Sequence, residues 1–196
     1  MRVISGEAGG RPLKAVPGMG TRPTTDKVKE AVFSMIGPYF DGGKALDLFA
    51  GTGGLGIEAL SRGMELAVFI DREKKSIDVI RDNLKATGLE KRAEVYRNDS
   101  FRALKALAKR DIRFDLVLLD PPYKLTGMDD VLLQLEELGL ANPGAVVLIE
   151  HDAEHRYAAR IGSFVERRHT EYGEIAITLY DYAPAPGDEP EGAETP

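Results

Sequence analysis

From residue 44 onward, two kinds of hydrophobic pattern alternate along the chain. Short dense runs, such as Leu66-Ala67-Val68-Phe69-Ile70 and Leu116-Val117-Leu118-Leu119, read as buried strands. Between them lie longer stretches whose apolar residues recur at three- and four-residue spacing, the mark of helices with one face inward. Strands are expected near 44–49, 65–71, 92–97, 113–120, 143–150, 163–171 and 174–183. Helices are expected near 54–63, 73–88, 101–110, 128–138 and 152–161. This alternation predicts an α/β fold with a doubly wound, mostly parallel seven-stranded sheet. Only Tyr172-Gly173 separates the last two runs, so they must pair as an antiparallel hairpin.

Residues 1–43 follow another pattern. Met1-Arg2-Val3-Ile4-Ser5 and Arg11-Pro12-Leu13-Lys14-Ala15 suggest a short hairpin, which Pro17-Gly18-Met19-Gly20 breaks. A helix follows, capped by Thr24 or Thr25, with Val28, Val32, Met35 and Ile36 on its apolar face and Gly37-Pro38 at its end. Arg22, Thr24, Lys27 and Lys29 lie at or near its start. Either this helix packs on the sheet edge with solvated bases, or its N-terminus and bases guide phosphates beside the pocket. The expected organisation is an N-terminal extension over 1–43, a main domain over 44–183, and an acidic disordered tail over 184–196.

The formal net charge of −6 is unevenly spread. Asp188, Glu189, Glu191 and Glu194 place four acids and no base in the tail. Residues 1–40 carry six bases against three acids, and residues 81–113 carry ten against five. Positive surface is therefore available for an anionic partner, although Lys and Arg on a helix more often form a solvated face. There is no cysteine, which excludes disulfides, thiolate metal sites and a Cys nucleophile. The three histidines show no metal-site pattern; His151 and His155 are spaced i, i+4 on a helix expected to face solvent there. No metal is expected. No apolar stretch could span a membrane, and there is no signal-peptide core, so a cytoplasmic protein is expected.

The chemistry concentrates at strand ends. The run ending at Asp47 enters the loop Gly51-Thr52-Gly53-Gly54-Leu55-Gly56, which fits G-x-G-x-x-G, and Asp71 ends the next strand 20 positions after Gly51. Such glycines permit a tight turn and close backbone approach to a ligand, and the acid can take ribose hydroxyls. A loop that only turns the chain is the alternative. Asp47 repels a pyrophosphate but suits an amino-acid ammonium. That favours S-adenosylmethionine (SAM), which has an ammonium and a ribose but no phosphate, over NAD. Asp47 could also accept from the loop's own N–H groups, and the two roles can coexist. The third strand ends near Asn98-Asp99-Ser100. Asp99 could accept from an adenine amino group if Ser100 caps the next helix; Asn98 or Asp99 as the cap is the competing reading. The candidate cofactor set is Asp47, Phe49, Gly51, Gly53, Asp71, Arg72, Asp99, Ser100 and Asp120.

The fourth strand ends in Asp120-Pro121-Pro122-Tyr123, the candidate catalytic residues. Neither proline has an N–H and each fixes its own φ, so the local carbonyls are free of ladder pairing. The carboxylate and one carbonyl can accept both hydrogens of an exocyclic amino group while the Tyr123 ring stacks on its base. A strand end followed by a Pro-rich turn is the plainer reading.

A parallel sheet ending in a hairpin is the Rossmann-like pattern of SAM-dependent methyltransferases. Over roughly residues 1–182 the chain resembles the RsmD-type bacterial 16S rRNA (guanine(966)-N(2))-methyltransferase family. The likeness rests on Arg2-Val3-Ile4-Ser5-Gly6, Gly10-Arg11-Pro12-Leu13-Lys14, and the block Thr21-Arg22-Pro23-Thr24-Thr25-Asp26-Lys27-Val28-Lys29-Glu30-Ala31-Val32-Phe33. It continues through Asp47-Leu48-Phe49-Ala50-Gly51-Thr52-Gly53, Asp120-Pro121-Pro122-Tyr123 and Tyr172-Gly173. The glycine loop and the Asp-Pro-Pro-Tyr clamp occur in many amino-group methyltransferases; the Arg-Pro-Thr block is what points to this family. Glu174-Ile175 departs from the family's Asp-Thr, and the acidic tail lies outside its pattern. The resemblance implies methylation of a guanine N2 by a monomer acting on 16S rRNA in the small ribosomal subunit or its assembly intermediate. Asp47, Gly51 and Gly53 would hold the methionine end of SAM, Asp71 the ribose and Asp99 the adenine. Arg11, Lys14, Arg22, Thr24, Lys27 and Tyr123 form the candidate RNA contacts. Competing expectations are a methyltransferase acting on adenine N6 or another amino group of RNA or DNA, an NAD-dependent oxidoreductase, which would lack an evident hydride-handling pair, and a non-catalytic SAM- or RNA-binding module.

Overall fold

Eight strands form one sheet in the order β3-β2-β1-β4-β5-β8-β7-β6. They are β1 (Lys44–Asp47), β2 (Leu66–Asp71), β3 (Ala93–Arg97), β4 (Phe114–Leu119), β5 (Ala141–Asp152), β6 (Arg160–Ile161), β7 (Phe164–Tyr172) and β8 (Ile175–Tyr182). The coordinates, a computed structural model, describe residues 1–18, 24–122 and 125–188. The first five strands pair in parallel, and β8 inserts antiparallel between β5 and β7. The chain turns back in strand order between β1 and β4, and a crevice opens beyond the carboxyl ends of the strands at such a reversal.

Helices α1 (Asp26–Ile36), α2 (Gly54–Ser61) and α3 (Lys74–Thr87) cover one face, where Val32, Phe33, Ile57, Leu60, Ile80 and Leu84 meet Ala45, Phe69 and Leu118. Helices α4 (Ser100–Ala108) and α5 (Met128–Glu137) cover the other, where Leu104, Val131 and Leu135 meet Leu46, Val117 and Ile149. Successive strand residues thus serve opposite cores, as expected where both sheet faces are covered. Gly56 makes one of these contacts close: a Cβ there would lie 2.4 Å from the Phe69 ring. The absent side chain lets α2 settle on Phe69, whose burial contributes about 2–3 kcal/mol.

The N-terminal arm is held by a buried polar knot. Glu58 on α2 is fully buried and accepts from the amides of Ile4 at 2.9 Å and Ser5 at 3.1 Å. Its carboxylate also pairs with Arg62 at 2.8 Å and Lys29 at 3.5 Å. Lys29 donates to the Arg2 carbonyl, and the Arg62 guanidinium lies 5.1 Å from the Phe33 ring centroid. The expected hairpin is reduced to one bridge, Arg2 opposite Pro12, flanked by backbone bonds between Val3 and both Gly10 and Arg11. Thr25 caps α1 by accepting from the Val28 amide, a contact typically worth about 1 kcal/mol.

The expected helix at 152–161 is not formed. Tyr157 and Ile161 are buried four residues apart, which imitates a helical face, but the backbone between is committed to neighbouring strands. The Ala153 amide donates to the Glu174 carbonyl, the Ala159 carbonyl accepts from Glu166, and Arg160–Ile161 becomes an eighth strand where seven were expected. His151 is consequently buried rather than solvent-facing. Its Nε2 meets Thr178 Oγ1 at 2.8 Å, His169 Nδ1 meets the same oxygen at 2.9 Å, and burial lowers the His151 pKa. The turn between β7 and β8 is Gly173-Glu174, one residue later than expected. Most of the proposed tail, residues 189–196, lies outside the described residues.

Candidate active site

Four neighbouring parallel strands carry a carboxylate at or near their carboxyl ends. In sheet order these are Asp71, the last residue of β2, Asp47, the last of β1, Asp120 just after β4, and Glu150 two residues before the end of β5. Asp47 lies 1% exposed beneath the glycine loop. Gly53 turns the chain into α2 with φ 81°, a left-handed conformation that costs a side-chain-bearing residue but not glycine. The Gly56 amide then donates to Asp47 Oδ2 at 2.9 Å. Asp71 accepts from the amides of Gly51 and Glu73 at 2.9 and 2.8 Å, tying the end of β2 to the same loop. Asp47 therefore takes the loop-bonding role. That single bond does not offset its burial: desolvation, with a smaller contribution from Asp71, raises its pKa to about 7.

Asp120 and Glu150 are more exceptional. Leu119 pairs with Ile149, so these two acids are the next residues of adjacent strands. Burial, then Glu150, then Asp47, raise the Asp120 pKa well above the carboxylate range. The Asp120 residue keeps some exposed surface, but protein packs around its carboxyl group. Glu150 is 8% exposed and its pKa is raised by burial, against the opposing hydrogen bond from Thr24 Oγ1 at 2.6 Å. Among the described residues, none of Asp47, Asp120 and Glu150 has an ion-pair partner. A floor of buried carboxylates with no cation paired to it among the described residues repels phosphate and suits a positively charged ligand group. The donor set thus fits the ammonium and sulfonium of SAM and opposes a dinucleotide.

Beyond Asp120, Pro121 is buried and Pro122 exposed. The Pro122 carbonyl accepts from the Leu125 amide, whereas the Pro121 carbonyl has no partner among the described residues. Tyr123, the expected stacking ring, lies outside the described residues.

The adenine end departs from one reading. Asp99, not Ser100, caps α4, its Oδ1 accepting from Phe101 and Arg102 at 3.1 and 3.2 Å. Ser100 is the first helical residue, one position earlier than expected. The second Asp99 oxygen remains for a ligand. Arg72 is exposed and pairs with Glu73, and Phe49 packs partly buried against the α4–α5 core.

Of the candidate RNA contacts, Thr24 points inward to Glu150. Arg11 donates to the Ala86 carbonyl, exposed Lys14 pairs with Asp82 at 3.3 Å, and Lys27 is exposed. Arg22 lies outside the described residues. Lys29, counted with the bases at the start of α1, is 2% exposed in the Glu58 knot and unavailable to phosphate.

Sequence reasoning missed three residues. Glu150 repeats the pattern of Asp47 and Asp71, an acid ending an apolar run, and could have been found by it. Asn83 carried no such signal: its buried amide donates to the Thr52 and Lys14 carbonyls and accepts from the Lys14 amide, joining the arm to the glycine loop. Phe101, 41% exposed beside Asp99, was taken only as the start of a helix.

The sheet, its covering helices and this ring of strand-end acids define a Rossmann-like methyltransferase fold. The family model described as "Conserved hypothetical protein 95" matches residues 1–181, and the chain belongs to that family, the RsmD type. It is 52% identical over 180 residues to a Bacillus subtilis protein named "Putative rRNA methyltransferase YlbH", covering 92% of this chain and 98% of that one. It is 31% identical over 180 residues to "Ribosomal RNA small subunit methyltransferase D" of Escherichia coli K12, covering 92% and 89%. The solved structure of Escherichia coli yhhF superposes with a TM-score of 0.79 at 31% identity, covering 93% of this chain and 98% of that one.

Proposed function

We propose that this protein uses SAM to methylate the exocyclic N2 of a guanine in 16S rRNA, guanine 966 by family resemblance, within the small ribosomal subunit or its assembly intermediate. The observation that carries this reading is the end of β4, where a buried Asp120 carboxyl group and a Pro121 carbonyl with no partner among the described residues stand beside the Asp47 floor. SAM supplies an electrophilic methyl group. Asp47 receives its ammonium beneath Gly51 and Gly53, Asp71 its ribose, and the free oxygen of Asp99 its adenine amino group. Asp120 and the Pro121 carbonyl accept the two hydrogens of the target amino group. That nitrogen's lone pair is delocalised into the base, and two such bonds favour the pyramidal form that can attack. Holding both reactants in line provides much of the acceleration. Tyr123 replaces the stacking that the base loses on leaving its place in the RNA. The enzyme works as a monomer, with Arg11, Lys14, Arg22 and Lys27 of the N-terminal extension meeting phosphates. The names of the relatives support the rRNA substrate.

The deciding experiment is transfer from methyl-labelled SAM to small subunits lacking the modification, followed by nucleoside analysis. Label in N2-methylguanosine is expected. Label in N6-methyladenosine would reassign the base, and no transfer would end the reading.

A further inference from the structure

Glu150 was no part of the sequence-derived site, yet its position binds it to Asp120. The two acids follow the paired residues Leu119 and Ile149 of adjacent parallel strands, Asp120 just past the end of β4 and Glu150 still within β5, where neighbouring strands lie about 4.8 Å apart. Both point to the α1–α3 side, since Leu118 and Leu148, two residues before each, belong to that core. Thr24, just before the cap of α1, donates its hydroxyl to Glu150 Oε2 at 2.6 Å. The other charged group acting on Asp120 is Asp47 from β1, which Asp71 of β2 faces in turn. Among the described residues no cation pairs with Asp47, Asp120 or Glu150.

We propose that Glu150, held by Thr24, is a positioning residue for methyl transfer, whose carboxylate charge makes the neighbouring Asp120 the proton acceptor. This rests on the function proposed above. In the transfer, the amino nitrogen's lone pair forms the N–C bond and the S–C bond breaks with its electron pair going to sulfur. The methylated nitrogen then loses one N–H proton to an Asp120 oxygen, which returns it to solvent between turnovers. An ordinary aspartate, with a pKa of about 3.9, is a poor base near neutrality. Burial, Glu150 and Asp47 together move Asp120 towards the range in which a general base works. The Thr24 hydroxyl has the opposite effect on Glu150, since a hydrogen bond to a carboxylate favours its charged form. The pair is thereby made unequal. Burial still raises the Glu150 pKa, but the Thr24 bond opposes that rise, whereas Asp120 has no such bond among the described residues and is raised further by Glu150, so Asp120 takes the proton.

The test is the pH dependence of kcat for wild type and Glu150→Gln on small subunits lacking the modification. Glutamine keeps the volume and can still accept from Thr24, but removes the charge. Ionised Asp120 is the active form, so its pKa sets the acid limb. Loss of the neighbouring charge should move that limb down by about one pH unit and lower the plateau by roughly tenfold, with KM for SAM unchanged. Thr24→Val, which loosens Glu150's hold on its charge, should move the limb the same way by less, and supplies the reading if Glu150→Gln folds poorly. An active wild type whose limb stays in place in both variants overturns this inference alone. An inactive wild type overturns the proposed function, and this inference with it.

Discussion

Glu58 and Asp120 are both carboxylates surrounded by protein on the same side of one sheet, but their surroundings are opposite. Glu58 receives two cations and two amides, so its burial is matched on every side. Asp120 meets two further carboxylates, and the pKa of each of the three is raised. A matched buried charge joins parts of the fold. Unmatched acids cost stability, and their natural complement is a ligand that brings positive charge and hydrogen-bond donors.

The largest effect should come from breaking the matched region. Glu58→Ala leaves buried Lys29 and Arg62 without their counter-charge and the Ile4 and Ser5 amides without an acceptor, and should cost about 3–5 kcal/mol in urea unfolding. A loss below about 1 kcal/mol would show that the arm is held by other contacts. Asp120→Ala should do the reverse, lowering methyl transfer by about a thousandfold, roughly 4 kcal/mol in barrier, with no loss of thermal stability. A drop in Tm would mean that Asp120 has a structural partner.

Asp47 should reveal the cost of the unmatched region directly. Its folded pKa of about 7 lies above its unfolded value, so the folded state holds the proton more tightly. Its contribution to stability is full below about pH 4, falls as pH rises to about 7, and is flat above, a change on the order of 4 kcal/mol. Asp47→Asn should flatten that slope in ligand-free protein and weaken SAM binding. An unchanged slope from pH 4 to 7 would place the titration elsewhere. The smallest effect belongs to Asp71→Ala, which should weaken SAM binding by about 1.5–3 kcal/mol in calorimetry. Unchanged affinity would mean that the ribose is held by another group.

The same contrast explains what the sequence could reveal. Strand ends such as Asp47, Asp71 and Asp120 were legible because each follows an apolar run, and loop chemistry marks the first and last. The Glu58 knot was not, since nothing in the order of residues tells that Lys29 leaves the surface to meet it. Lys29 read as one more base at a helix start, and only packing of α1 on α2 reassigns it. Helical spacing at Tyr157 and Ile161 misled for a related reason. Burial at i, i+4 also arises in an irregular segment when its backbone groups are taken by β7 and β8. At Asp99 and Ser100 two good capping residues stood together, and local chemistry alone could not choose between them.

The Glu58 knot also has a consequence in time. Ile4 and Ser5 are 54 and 53 positions from their acceptor, and Thr24 is 126 positions from Glu150. At about 5–20 residues per second of synthesis, roughly 3–11 seconds pass between the making of Ile4 and of its partner. The Thr24 contact waits about 6–25 seconds on the same scale. The two ties of the N-terminal arm are therefore made at different times: the Glu58 knot can close while most of the chain is still to be made, whereas the Thr24 contact that completes the acidic site must wait until Glu150 has been added.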